Sequence, residues 1–352
     1  MTSPPTDRAA FSLGTFSRAG SPPFAGLVRP GDQVLAVDAL QPLLAALGQP
    51  SLSGRSVLQL LEDWRASHAA LQAAAQALAD ATRPEAPALQ ALQVPMASLE
   101  VHPPVAARQI FMSGANYFKH VVDIIVDLGP GKNPGTEGMD PPTLRRYAED
   151  LMRKRQAEGT PYVFCKPVTT LNGAYDPIVL PPFATQPDWE LELAVVIGAP
   201  ARNVSRADAM QYVAGYTISN DLTNRDQIYV RGDMKALGTD WLSAKSCPGY
   251  LPVGPVIVPA AQVANPHDLQ LTLKLNGEVK QHERSSDMIF DIPRLIEHVS
   301  RIAQLLPGDL ICTGSPAGNG THYNRYLQPG DVVESTITGL GIQRNPVVAE
   351  RS

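Results

Sequence analysis

Two glutamates lie in the middle of an otherwise apolar stretch, residues 186–198, which reads QPDWELELAVVIG. Side chains of a β-strand alternate between its faces, so Asp188, Glu190 and Glu192 share one face and apolar residues form the other. A buried carboxylate without a partner costs roughly several kcal/mol, and two carboxylates about 4 Å apart repel by about 4 kcal/mol at an effective dielectric constant of about 20. This strand therefore requires a group that neutralises its glutamates.

Protonation of one glutamate, an Arg or Lys partner, or a divalent cation would each neutralise the pair. A second strand, YVAGYTISND, ends at Asp221. If Asp221 converges on Glu190 and Glu192, the three carboxylates form an all-oxygen site suited to Mg²⁺, Mn²⁺ or Ca²⁺. The alternative is a solvated strand face on which the glutamates pair with Arg225 and Lys245.

Size and charge favour a small-molecule protein. The 352 residues are 44% apolar, enough for a sizeable core and two domains. A net charge of −5 and a pI near 5.8 argue against nucleic acid and anionic membranes as partners. The sequence has no apolar run of roughly 18 residues and no basic, then hydrophobic, start, so we expect a cytoplasmic protein. The three separated cysteines argue against a disulfide framework.

Residues 1–104 are predicted to form a smaller N-terminal α+β domain. Short β-rich runs separated by Gly and Pro indicate a small sheet, and an Ala-rich helix and a Pro-rich linker follow. One stripe of that helix carries an apolar residue at every seventh position: Val57, Trp64, Leu71 and Leu78. His68, within the helix, is expected at the surface.

Residues 105–352 are predicted to form a mostly β domain. Strands are expected around residues 109–114, 162–165, 189–198, 212–220, 254–258, 269–275, 309–313 and 331–337. One amphipathic helix interrupts them: Asp291 can cap it, Pro293 suits its first turn, and His298 is expected on its solvated face.

A long segment rich in Gly, Pro and charge, residues 127–160, separates two of the predicted strands. It is too long for a passive connection in a compact domain. We expect a lid over the active site, with a surface excursion or a dimer arm as alternatives.

Several motifs, in order, resemble those of the fumarylacetoacetate hydrolase (FAH) superfamily. They are SGANYFKHVVD, YVFCKPVTTLNGAYDPIVLPP, PDWELELAVVIG, TISNDLTNRD, GTDWLSAKS and LLPGDLICTGSPAGNG. The resemblance covers roughly residues 105–345. It implies an α+β, mostly β fold with a mixed β-roll catalytic domain, a homodimer, and one Mg²⁺ or similar ion held by Glu190, Glu192 and Asp221. Larger members have a further acidic ligand, at a place that corresponds to Ser113.

The resemblance also implies catalytic roles. His120 falls on the histidine that activates water, and Asp123 on the acid that orients it. A His and an acid three residues apart can share one helical turn, as a proton relay needs, although a lone histidine is more often structural. Lys245 and Arg225 match cations that stabilise a developing oxyanion. The implied substrate-binding residues are Tyr117, Lys166 and Thr313.

One departure from the family pattern concerns a glutamine. The family commonly has it two residues after the Asp that follows Arg225, whereas this chain has Gln227 one place early and Ile228 in that position. A shift of one residue along a strand turns a side chain to the opposite face. We therefore expect Gln227 to miss the site, which puts the usual hydrolytic oxyanion arrangement in doubt.

The leading hypothesis is a metal-dependent hydrolase that cleaves a C–C bond in an acylpyruvate or related 1,3-dicarbonyl compound from aromatic or other carbon catabolism. A divalent ion can chelate both oxygens of such a substrate and stabilise the enolate that forms. The same chemistry serves a 2-oxo acid decarboxylase, hydratase or tautomerase, which is the alternative. A metal-dependent phosphodiesterase and a non-catalytic binding protein are competitors from other classes.

Overall fold

The computed structural model describes residues 10–80, 82–229 and 238–351. Its strands are β1 (Ser12–Ser17), β2 (Phe24–Arg29), β3 (Gln33–Ala36), β4 (Val94–Pro95), β5 (Glu100–Val101), β6 (Ile110–Gly114), β7 (Tyr162–Cys165), β8 (Leu171–Asn172), β9 (Ile178–Leu180), β10 (Pro187–Asp188), β11 (Leu191–Ile197), β12 (Val213–Asn220), β13 (Thr223–Asn224), β14 (Leu251–Pro259), β15 (Gln270–Leu275), β16 (Glu278–Arg284), β17 (Leu310–Cys312), β18 (Val332–Ile337) and β19 (Gly341–Ala349). Its helices are α1 (Gln41–Ala46), α2 (Val57–Glu62), α3 (Trp64–Ala79), α4 (Ala86–Ala91), α5 (Phe118–Leu128), α6 (Pro141–Glu158), α7 (Trp241–Lys245), α8 (Ile292–Ile302) and α9 (Gly320–Tyr323).

Two sheets dominate the fold. The larger follows the order β4-β3-β2-β1-β14-β12-β11-β17-β6-β7, with β5 paired to β1 and β8 paired to β14. The smaller has the order β16-β15-β18-β19-β9, and β10 pairs with β13. The predicted α+β, mostly β fold is confirmed.

The central strand β11 is buried on both faces. Leu191, Leu193 and Val195 belong to the core that also contains residues of α8 and β15. Ala194 and Val196 point the other way, into a core shared with the N-terminal region. The strand therefore has no solvated face, so the alternative of a solvated acidic face is wrong, although its pairing of a glutamate with Arg225 and Lys245 is found at Glu190.

Most predicted elements occur where the sequence pattern placed them. Each predicted strand beyond residue 104 has a counterpart, from β6 to β18. Helix α8 begins after Asp291, whose side chain accepts a hydrogen bond from the Arg294 N–H, with Pro293 in the first turn. His298 is half-buried rather than fully solvated.

The N-terminal region differs from the prediction in one helix. The predicted Ala-rich helix is two helices, α2 and α3, separated at Asp63. His68 is half-buried against the rings of Phe11 and Trp64, at 5.9 and 5.1 Å between ring centroids. Strand β1 pairs with β14, with Leu13 opposite Ile257, so the larger sheet crosses the predicted boundary at residue 104. That boundary stays a prediction.

The segment at residues 127–160 consists largely of a helix. Helix α6 is capped by Asp140, whose side chain accepts a hydrogen bond from the Thr143 N–H at 2.8 Å. Its buried face, Leu144, Ala148 and Met152, belongs to the same core as the buried face of α5. The predicted lid function stays a prediction. None of the helices in the described ranges is long and apolar enough to cross a membrane.

Candidate active site

Three carboxylates converge where β11 and β12 meet. Leu191 pairs with Asn220 in the antiparallel register, and the N–H of Asp221 donates to the carbonyl of Glu190 at 2.8 Å. This register brings the end of one strand beside the start of the other. The buried carboxylates of Glu190, Glu192 and Asp221 each offer one oxygen, and these oxygens lie within 4.8 Å of one another.

Two buried lysines neutralise Asp221. The Lys245 ammonium lies 2.5 Å from Asp221 Oδ2 and 2.9 Å from Glu190 Oε2, and it also donates to the Thr223 hydroxyl at 2.6 Å. The Lys166 ammonium lies 2.6 Å from Asp221 Oδ1. Lys166 also donates to two backbone carbonyls, those of Tyr250 at 2.6 Å and Leu222 at 3.2 Å. All three N–H donors of Lys166 are used within the protein, and its predicted substrate contact stays a prediction.

A second ion pair joins Arg225 to two acids on one strand face. Its Nε lies 2.8 Å from Asp188 Oδ2, and its Nη2 lies 2.5 Å from Glu190 Oε1. Asp188 also accepts the backbone N–H of Gly320 at 2.6 Å and the Thr321 hydroxyl at 3.0 Å. Asp188 therefore anchors Arg225 to the start of α9.

Glu192 is the carboxylate of this cluster without a cationic partner. Within the described part of the chain no Lys or Arg lies in ion-pair distance of it, and it accepts the Gly314 N–H at 2.8 Å. Burial, together with the charges of Asp221 and Glu190, raises its pKa well above the usual range. The donor set fits a hard divalent cation, because three buried carboxylate oxygens converge and one carboxylate still lacks a counter-charge.

His120 lies in the first turn of α5, half-buried. Burial lowers its pKa to about 4, and the charges of Glu190, Arg225 and Asp188 act on it in opposite directions. The imidazole is therefore neutral at pH 7 and can accept a proton. His120 is therefore within electrostatic range of the ion pair that Arg225 forms with Asp188 and Glu190.

Asp123 lies one turn after His120 on α5. Its carboxylate accepts a hydrogen bond from Arg145 of α6 at 2.9 Å. Among the described side chains no hydrogen bond joins Asp123 to His120. Its charge raises the pKa of His120 only as the weakest of the contributing causes. The predicted role of Asp123 in orienting the base stays a prediction.

Buried hydroxyls lie near Glu192. The Tyr117 phenol is fully buried at the start of α5, and burial raises its pKa. The Tyr117 hydroxyl faces that of Thr313, whose interaction with the phenol opposes the effect of burial on its pKa. Among the described residues the Ser113 hydroxyl has no hydrogen-bond partner. Buried hydroxyls are normally satisfied, so that of Ser113 is available to a polar ligand.

Gln227 lies outside this cluster, as the shifted motif predicts. Its side-chain amide donates to Asp226 at 2.9 Å, and the same carboxylate accepts the Thr185 hydroxyl at 3.0 Å. No hydrogen bond in the described ranges joins Gln227 to the three converging carboxylates.

The sequence prediction missed several residues of the site. Alternation placed Asp188 on the strand face of Glu190, but the sequence prediction gave it no role in the site. Thr223 and Gly314 reach the site through tertiary contacts that no local pattern encodes. Two stacked aromatic residues, Phe164 and Trp241, have their ring centroids 5.5 and 5.8 Å from the Lys245 ammonium.

Comparison with known proteins places this arrangement in a family. Residues 109–348 match the fumarylacetoacetate (FAA) hydrolase C-terminal family. Protein Rv2993c of Mycobacterium tuberculosis is 37% identical over 254 residues, 72% of this chain and 80% of that protein. The human mitochondrial oxaloacetate tautomerase FAHD2A is 39% identical over 190 residues, 53% of this chain and 59% of that protein.

Solved structures of similar proteins cover almost the whole chain. The 2-hydroxyhepta-2,4-diene-1,7-dioate isomerase of Mycobacterium marinum has a TM-score of 0.64 at 29% identity, covering 97% of this chain and 100% of that one. The maleylpyruvate hydrolase of Sphingobium sp. SYK-6, in complex with manganese(II) and pyruvate, has a TM-score of 0.66 at 25% identity with the same coverage. The chain belongs to the fumarylacetoacetate hydrolase superfamily.

Proposed function

We propose that this protein is a divalent-metal-dependent hydrolase that cleaves a C–C bond in a 1,3-dicarbonyl substrate of the acylpyruvate or fumarylacetoacetate type. The observation that carries the proposal is the convergence of Glu190, Glu192 and Asp221 beside a neutral His120. A divalent cation held by these carboxylates would supply Lewis-acid polarisation of the substrate oxygens. We expect Mg²⁺, with Mn²⁺ or Ca²⁺ as substitutes.

The chain's own residues supply the proton transfer and the oxyanion donors. Neutral His120 accepts a proton from a water molecule that attacks the carbonyl carbon, and it returns the proton to the leaving carbon. Lys245 and Arg225 provide N–H donors for the oxyanion that develops on the attacked carbonyl. The buried hydroxyls of Tyr117 and Thr313, which face each other, orient the substrate's polar end.

A tautomerase of a 2-oxo acid is the second candidate. Two observations favour it: the similarity to the human oxaloacetate tautomerase and the position of the Gln227 amide on Asp226. In that reaction His120 would move a proton between carbon and oxygen without activating water. Decarboxylation and hydration of related 2-oxo acids use the same residues and are further alternatives.

A panel of substrates separates these reactions. Purified protein loaded with Mg²⁺ or Mn²⁺ is assayed with acylpyruvates, oxaloacetate and 2-hydroxydienoates, and the products are identified by NMR. Cleavage of an acylpyruvate into pyruvate and a carboxylic acid supports the hydrolase. Enol–keto exchange of oxaloacetate without cleavage supports the tautomerase. If the protein binds the metal but converts none of these compounds, the enzymatic proposal is wrong.

Assembly is part of the same proposal. We expect a homodimer, as the family resemblance implies, and sedimentation of the metal-loaded protein tests it. A monomer at assay concentrations would contradict that part alone.

A further inference from the structure

A stacked pair of aromatic rings lies close to the ammonium of Lys245. Its Nζ is 5.5 Å from the centroid of the Phe164 ring and 5.8 Å from that of Trp241. The two rings are 5.1 Å apart and inclined by 12°. Apart from these rings, the ammonium contacts Glu190, Asp221 and Thr223.

Local geometry explains how the chain brings these groups together. In β7, alternate residues share a face, so Tyr162 and Phe164 lie on one side of the strand. In α7, Trp241 and Lys245 are four residues apart and therefore lie on one side of the helix. The indole N–H of Trp241 donates to the Tyr162 hydroxyl, which fixes the plane of the indole.

The hydrogen bonds of Lys245 use all three N–H donors of its ammonium. An ammonium has three N–H groups, and those of Lys245 point at Glu190, Asp221 and Thr223. To donate to an oxyanion, the ammonium must turn one N–H away from a carboxylate. An aromatic face attracts a cation without occupying a particular N–H direction. An aromatic ring can therefore hold the ammonium in place while one N–H turns from its present acceptor to the oxyanion.

We propose that the stacked pair of Trp241 and Phe164 positions Lys245 by cation–π attraction to the face that the pair presents, and so allows Lys245 to serve as an oxyanion donor. The kinetic part of this inference rests on the proposed function. The positional part concerns only the ammonium and the two rings, and it is measured without a substrate.

The kinetic test uses tryptophans with increasing numbers of fluorine atoms, incorporated at position 241 of the metal-loaded protein. Fluorine weakens the negative potential of the ring face and preserves its shape. We expect log kcat to fall steadily with the number of fluorines, by about 10- to 30-fold over the series, with KM little changed. The matched control is the same series at Trp64, whose ring lies against His68 in the N-terminal region, where kcat should stay constant.

The positional test compares Trp241→Leu with Trp241→Phe by trace acetylation of the metal-loaded protein and mass spectrometry. We expect Lys245 to be acetylated at least about tenfold faster in Trp241→Leu and near the wild-type rate in Trp241→Phe, which keeps an aromatic ring. Lys166 is the internal control because its ammonium directs all three N–H donors at Asp221 and at the carbonyls of Leu222 and Tyr250.

The outcomes distinguish the two proposals. A flat fluorine series at position 241, or equal acetylation of Lys245 in the wild type and Trp241→Leu, overturns the positioning role. Faster acetylation of Lys245 in a protein that converts no substrate supports the positioning role and contradicts the proposed enzyme. A similar increase for Lys166 would indicate general loosening and also overturn the inference.

Discussion

The ammonium of Lys166 lies 2.6 Å from Oδ1 of Asp221, and neither side chain is more than 2% exposed. A buried charge that loses its partner is strongly destabilising, because nothing else solvates it. Asp221 retains Lys245 as a second partner, at 2.5 Å from its other oxygen. The Lys166 pair is therefore a structural support of the site as well as part of its charge balance.

Replacing Lys166 by Met is expected to lower the free energy of unfolding by about 3 kcal/mol. The measurement is urea denaturation at pH 7.5 with a chelator present. The matched control is Lys274→Met, since Lys274 pairs with Glu334 at 3.1 Å near the surface, where the loss should be under about 1 kcal/mol. Equal losses in the two variants would contradict the assigned importance of burial.

Replacing Glu192 by Gln is expected to separate metal binding from folding. Burial and the charges of Asp221 and Glu190 raise the pKa of Glu192 and so oppose its ionisation when no cation is bound, and Gln removes that charge with little change of shape. Stability in a chelator should therefore stay within about 0.5 kcal/mol of the wild type, while Mg²⁺ or Mn²⁺ affinity measured by calorimetry falls at least about tenfold. A variant that binds the ion as tightly as the wild type would show that Glu192 is not a ligand.

Removing His120 is expected to abolish turnover without removing the cation. Loss of a general base typically lowers the rate by about 10²- to 10⁴-fold. The variant is His120→Ala, compared with the wild type by kcat and by metal affinity. His282→Ala is the matched control, because His282 bonds to Thr272 on the smaller sheet. An unchanged kcat in His120→Ala would refute the assigned base.

The lowered pKa of His120 predicts a pH-dependent stability. Its pKa is about 4 in the folded protein and about 6.5 in the unfolded chain. The unfolded state therefore takes up this proton first, so the free energy of unfolding falls as the pH falls from about 6.5 to about 4. Above this window the imidazole is neutral in both states and the effect is absent.

Comparison with His120→Gln isolates this contribution. Denaturation of both proteins at pH 7.5, 6 and 5, in a chelator, should show a steeper loss for the wild type below about pH 6.5. Parallel curves would mean that His120 titrates in the folded protein as it does in water.

Local pattern predicted the strands and α8, and it left the convergence of Glu190, Glu192 and Asp221 open beside a solvated, cation-paired strand face. Alternation and capping act over a few residues, and the family motifs supplied the link between β11 and β12. The tertiary partners did not follow from local pattern. Lys166 reaches Asp221 across 55 positions of the chain, and Gly314 reaches Glu192 across 122.

Local pattern also did not decide whether the acidic face of β11 is buried. The apolar face of β11 was expected in the core, but its opposite face is also buried because the N-terminal region packs against Ala194 and Val196. Acidic and apolar residues alternate in the same way whether the acidic face of the strand lies in water or in a core, provided that cations pair with the acids. Which of the two cases occurs depends on residues more than 100 positions away in the sequence, such as Leu13 and Leu27.

The pairing of β1 with β14 has a consequence for shorter versions of this chain. A fragment that begins at residue 105 would lose Leu13 opposite Ile257 and leave the edge of β14 with unpaired backbone groups. Such an edge is a template for intermolecular strand addition. The first strands thus cover an edge through which the remaining chain could self-associate, and a truncated protein would have to be kept from aggregating before any activity assay could be interpreted.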